Sequence, residues 1–180
     1  MHGDITYFGV EICAGRKIRI FIHQWRMKFF RAFNAIYAKM SGSASELVTL
    51  NLTRSFCTPI LSYGLECIFI SKSLAASLNF CWSRVMYKIF NISESACADS
   101  ILYFMGHLPL SYQLDLCKLR FYHYMYCNYL SGDDIVWHVA NAVKRRLIDQ
   151  LFLTYHVYIS GSVASYCRAV WSELSDLFAQ

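Results

Sequence analysis

Seven cations and no carboxylate lie between Glu11 and Glu46: Arg16, Lys17, Arg19, Arg26, Lys28, Arg31 and Lys39. Cations unbalanced by acid suit a phosphate backbone, because each contact releases condensed counterions and adds affinity without reading sequence. They predict sequence-tolerant nucleic-acid binding, against the plainer reading of a solvated face on an amphipathic helix. A second constellation is Asp133-Asp134, within Tyr129-Leu-Ser-Gly-Asp-Asp-Ile135. Paired carboxylates on a turn can bridge divalent ions at a reacting phosphate. Here the pair follows one helical pattern and precedes another, so it reads as helix punctuation. Gly132 is the expected left-handed C-cap, with Asp133 or Asp134 capping the helix that starts at Ile135.

Other chemistry is scarce. There is no G-x-S-x-G turn, no phosphate-binding glycine loop and no H-E-x-x-H pair. The histidines at 2, 23, 107, 123, 138 and 156 are dispersed. His123 and Cys127 stand four apart and could share a metal, but no second pair completes a tetrahedral site. His123 also sits in Phe121-Tyr-His-Tyr-Met-Tyr-Cys127, an aromatic run that core packing explains better than base stacking. The cysteines at 13, 57, 67, 81, 97, 117, 127 and 167 include no C-x-x-C pair and read as small apolar core residues, not a disulfide framework. No catalytic residue, metal ligand or cofactor is expected in this chain.

The elements that must position the cations follow from hydrophobic period. Residues 5–12 are rich in β-branched and aromatic types, Ala14-Gly15-Arg16 supplies a turn, and Ile18, Ile20 and Ile22 alternate with other residues, which predicts a β-hairpin. From His23 the period becomes helical, with Trp25, Phe29, Phe33, Ile36, Tyr37 and Met40 on one face and Arg26, Lys28 and Lys39 largely off it. That helix should stop near Ser41-Gly42. Ser43-Ala-Ser-Glu46 has capping-box spacing and should open a second helix that Pro59 ends or kinks. Further helices are expected over 74–90, from the Ser93-Glu94-Ser95 cluster to Gly106, over 110–129 from Pro109, over 135–158 with Lys144-Arg145-Arg146 exposed, and over 162–178. The predicted fold is mainly α, a bundle of about six to seven helices with a short N-terminal β-hairpin.

Composition bounds the rest. With 56% apolar and 17% aromatic residues against 16% charged, the chain must bury a large core and should carry apolar surface that something else covers. The longest charge-free run, 150–167, contains His156, Gly161 and several serines and reads as two core segments rather than a membrane span. No secretory signal pattern opens the chain, so an intracellular location, nucleus or cytoplasm, is expected.

Tyr7-Phe-Gly-Val-Glu-Ile12, followed after the basic segment by Ser55-Phe-Cys-Thr-Pro-Ile-Leu-Ser-Tyr-Gly-Leu-Glu66 and Ile70-Ser71-Lys72, resembles the reverse transcriptase of non-LTR (LINE-type) retrotransposons. The similar portion lies just C-terminal to the catalytic palm, where a Y-L-G-[VI]-x-[IL] strand closes the palm and P-[IL]-L-x-Y-G-x-E recurs in the thumb. Phe8 stands here for the usual leucine. Cys81-Trp-Ser-Arg-Val-Met-Tyr-Lys-Ile-Phe90 and Ser165-Tyr-Cys-Arg-Ala-Val-Trp171 are of the kind found further downstream. The resemblance implies an end-of-palm strand or hairpin over 1–22, a thumb-like helical region over 23–106 and a helical connector over 107–180. It implies that the metal-binding aspartates, and the magnesium they hold, belong to a palm preceding Tyr7. This chain alone is then a polymerase fragment without catalysis, its partners the palm and an RNA or RNA–DNA hybrid duplex. The alternatives are a helical protein-interaction module able to self-associate, and a pseudogene product with no function.

Overall fold

The computed structural model describes residues 4–7, 10–13, 19–21, 23–67, 70–92, 95–130, 138 and 148–179, and the chain is mainly helical. At the N-terminus three short strands, β1 (Asp4–Tyr7), β2 (Val10–Cys13) and β3 (Arg19–Phe21), pair antiparallel in the order β1-β2-β3. This differs from the two-stranded hairpin expected from the sequence. The run read as one strand over 5–12 is two, with Tyr7 opposite Val10 and Ile5 opposite Ile12. Gly9 falls in the middle of that run, and a glycine inside a strand pattern marks an interruption. Ile12 then pairs with Ile20 across to β3.

Helix α1 (His23–Met40) buries Trp25, Phe29 and Phe33, the stripe its period predicts. It ends as expected: Gly42 is left-handed at φ 82°, and Ser41 N donates to Tyr37 O at 2.8 Å. Helix α2 (Glu46–Ser62) starts two residues later than a Ser43 cap would require. Its cap is Ser45, whose side chain accepts from Val48 N at 3.4 Å, while Ser43 Oγ donates back to Lys39 O at 2.9 Å and closes α1 instead. Two serines compete here. The loop is so short that the nearer hydroxyl to the last carbonyls of α1 is taken by them. Pro59 lies inside α2, which runs three residues past it to Ser62.

Helix α3 (Lys72–Phe90) is bounded by Ser71, which accepts from Leu74 N at 3.2 Å, and by left-handed Asn91. Its buried side, including Leu78, Trp82, Val85 and Met86, meets α1 and α2. One compact unit comprises residues 1–64 and 70–98; a second comprises 65–69 and 99–180.

In the second unit helix α5 (Leu110–Leu130) packs on a 3-10 turn at Leu65–Cys67 and on α6 (Val163–Phe178). The preceding helix, α4 (Ser95–Phe104), ends at left-handed Gly106, with His107 N donating to Leu102 O at 2.8 Å. Leu119, Tyr166, Val170 and Leu174 form the centre of its core. Residues 148–154 are helical and stop before Tyr155, four residues short of the expected end, because His156 turns left-handed at φ 50° and Val157 N bonds Phe152 O at 3.0 Å. Ser162 caps α6 as anticipated, accepting from Ser165 N at 3.2 Å. Gly161 before it is needed for space: a Cβ there would stand 2.9 Å from the Tyr158 carbonyl oxygen. The Gly132-Asp133-Asp134 turn and Lys144-Arg145-Arg146 lie outside the described residues. Among the described residues no helix is long and apolar enough to cross a membrane.

Candidate nucleic-acid interface

Of the seven cations singled out by sequence, Arg16 and Lys17 lie outside the described residues, and Arg19 is placed on β3. The other four are on α1, where helical geometry divides them. Successive residues advance about 100°, so Lys28, Arg31 and Lys39 fall within roughly 80° of one another while Arg26 lies about 160° away from Lys28. Lys28, Arg31 and Lys39 are exposed. They span about 16 Å of helix, comparable to roughly five base-pair steps of a duplex. Among the described residues the basic set is therefore a three-cation face on α1, with Arg26 apart from it on the same helix and Arg19 on β3.

Arg26 takes part in a different arrangement. It lines a cavity of about 660 Å³ between α1 and α3, together with Phe30, Phe33 and Asn34 of α1 and Phe80, Arg84, Tyr87 and Lys88 of α3. The two helices run in the same direction along it. At one end Arg26 lies beside Cys81, whose thiol is pushed up chiefly by burial while the guanidinium pulls part of that shift back. At the other end Lys88 Nζ lies 4.7 Å from the Tyr37 ring centroid and 3.3 Å from Asn34 Oδ1, a cation–π and hydrogen-bonded tie between the helices. Phe33 forms a buried floor; Phe80, Arg84 and Lys88 are exposed at the rim. Arg84 Cζ stands 5.6 Å from the Phe80 ring centroid, one helical turn along α3. None of the eight lining residues is acidic, so the wall carries three cations and no carboxylate.

Sequence reasoning missed Arg84, Phe80, Tyr87 and Lys88 as site residues. The signal was present as a stripe on α3: positions 80, 84, 87 and 88 recur at helical spacing opposite the buried Leu78, Trp82 and Val85. What the stripe lacked was a partner, since only packing shows that Arg26, Phe30 and Asn34 of α1 complete it.

His123 and Cys127 stand in a hydrogen-bonded cluster with Tyr166. Tyr166 Oη donates to Ile159 O at 2.8 Å and lies 3.2 Å from His123 Nδ1, while Cys127 Sγ lies 3.5 Å from His123 Nε2. His123 thus ties α5 to the turn before α6. Among the described residues no three His, Cys, Asp or Glu side chains gather as metal ligands, and Cys57, Cys81, Cys117 and Cys167 are free thiols. No protein-family model, curated protein or solved structure matches this chain.

Proposed function

We propose that this chain is the thumb-like helical part of a non-LTR retrotransposon reverse transcriptase, and that it binds RNA or RNA–DNA hybrid duplexes through the sugar–phosphate backbone without catalysing a reaction itself. The observation that carries this reading is the exposed Lys28, Arg31 and Lys39 face of α1, which no acidic residue on that helix offsets. Such a face gives affinity with little base discrimination, because it meets phosphates and not base edges. The Ser55–Glu66 motif supports it as well. Its Tyr63-Gly64 step follows α2 directly, and Gly64 is left-handed at φ 70°, so the glycine there answers a backbone need.

The test is the salt dependence of binding to a blunt RNA–DNA hybrid. Affinity should fall steeply with salt, and replacing Lys28, Arg31 and Lys39 by glutamate should lower it and reduce the slope of log K against log salt by roughly three. Equal binding by wild type and the triple variant would overturn the reading.

A second reading, a helical module that associates with a second copy of itself, is favoured by one observation. Val48, Phe56 and Pro59 of α2, with Tyr63 just beyond it, fall within about 80° of one another and are exposed.

A further inference from the structure

The cavity between α1 and α3 combines features that a duplex backbone does not need. Backbone binding calls for cations on a convex face, whereas here Arg26, Arg84 and Lys88 surround Phe30, Phe33, Phe80 and Tyr87 in a concave space of about 660 Å³. Cations select an anion, and ring faces select a flat π-system. A nucleotide carries both. We propose that this cavity takes one unpaired nucleotide of a bound strand, with its base against Phe80 and Tyr87 over the Phe33 floor and its phosphate at Arg84, backed by Arg26. This deepens the nucleic-acid reading and rests on it.

The geometry apportions the roles. Lys88 is held by Asn34 and by the Tyr37 and Phe33 rings, so it adds fixed positive potential at one end of the rim. Arg84 is exposed at the rim, its Cζ 5.6 Å from the Phe80 ring centroid, where a phosphate beside a base on that ring would pass. The volume falls within the range of about 300–1,000 Å³ usual for small-molecule sites and is ample for one nucleotide. Base selectivity should be slight, because every base presents a π-face.

The experiment compares two ligands, a four-nucleotide single strand and a blunt RNA–DNA hybrid, on the full chain. Phe80→Leu and Arg84→Gln alter exposed side chains, so the fold should persist, as circular dichroism would verify. Each should weaken the single strand by roughly tenfold, the effect expected for losing one stacked base or its phosphate contact, while changing the hybrid less than about threefold. Arg84→Lys, which keeps the charge and loses the planar surface, should fall between. Lys28→Glu with Arg31→Glu should show the reverse preference. If the wild-type chain does not bind the single strand, or both cavity variants bind it as wild type does, the inference is wrong whatever the hybrid shows. A loss confined to Arg84→Gln would reduce the cavity to an anion site and also overturn it. Retained single-strand binding with no hybrid binding would instead sink the backbone reading alone.

Discussion

Asp115 on α5 shows how one half-buried residue couples this fold to pH. Tyr155 Oη donates to its Oδ2 at 2.9 Å, yet its pKa is raised, chiefly by burial, with the Tyr155 hydrogen bond and Lys118 acting against the rise. Tyr155 is pushed up in turn, by burial first and by the Asp115 charge second. Because the folded pKa of Asp115 exceeds the unfolded one, the folded chain holds more protons between the two, and this contribution to stability falls as pH rises from about 4 through the folded value. Asp115→Asn keeps an oxygen to accept from Tyr155 and removes the charge. It should therefore gain stability over wild type at pH 7 and gain less at pH 4, as urea midpoints at the two pH values would show. An equal difference at both would mean that Asp115 is not titrating against burial. None of this was legible in Leu-Asp-Leu-Cys, where the aspartate looks like a surface residue between leucines. By contrast Cys57 and Cys81 behave as their apolar neighbours suggest: both are buried, and burial raises Cys57 to about 11.

At the scale of elements, the helix ends separate what local sequence can say from what it cannot. The stops at Gly42, Gly106 and Asn91 are chemical, since only a residue tolerant of left-handed backbone ends a helix that way, and all three are left-handed here. Local sequence does not fix the start of α2, because Ser43 and Ser45 are both competent caps and the choice depends on where α1 ends. Ser45→Ala should cost about 1 kcal/mol, the usual loss of a cap, whereas Ser43→Ala should stay within about 0.5 kcal/mol. Thermal or urea unfolding of the two variants checks the order, which a cap at Ser43 would reverse. The strand region shows the same limit. A period-2 pattern identifies extended chain but not where it folds back, and the single expected strand over 5–12 is β1 and β2.

For the whole molecule, formal net charge is +5, and its binding consequence depends on where the positive groups stand. Binding through Lys28, Arg31 and Lys39, as proposed, would weaken with salt. Association through Val48, Phe56, Pro59 and Tyr63 would persist in high salt, because it removes apolar surface from water. Sedimentation at 1 M salt distinguishes the two: if the second reading is right, a concentration-dependent dimer remains, and Phe56→Ser weakens it by roughly tenfold or more, the order expected for losing one buried aromatic. A monomer at every concentration removes that reading. The mainly helical class, the apolar stripe of α1 and the acid-free basic segment were settled by residue order alone, since helical period and charge are properties of neighbours in the chain. Tertiary structure decided which cations stand together around one cavity. Helical period separates Arg26 from Lys28, Arg31 and Lys39, but only packing joins it to Phe80, Arg84 and Lys88 of α3, more than fifty positions away in sequence. The physical reason is that a helix distributes successive residues around its axis, and only the packing of α1 against α3 determines which stripe meets a neighbour and which meets solvent.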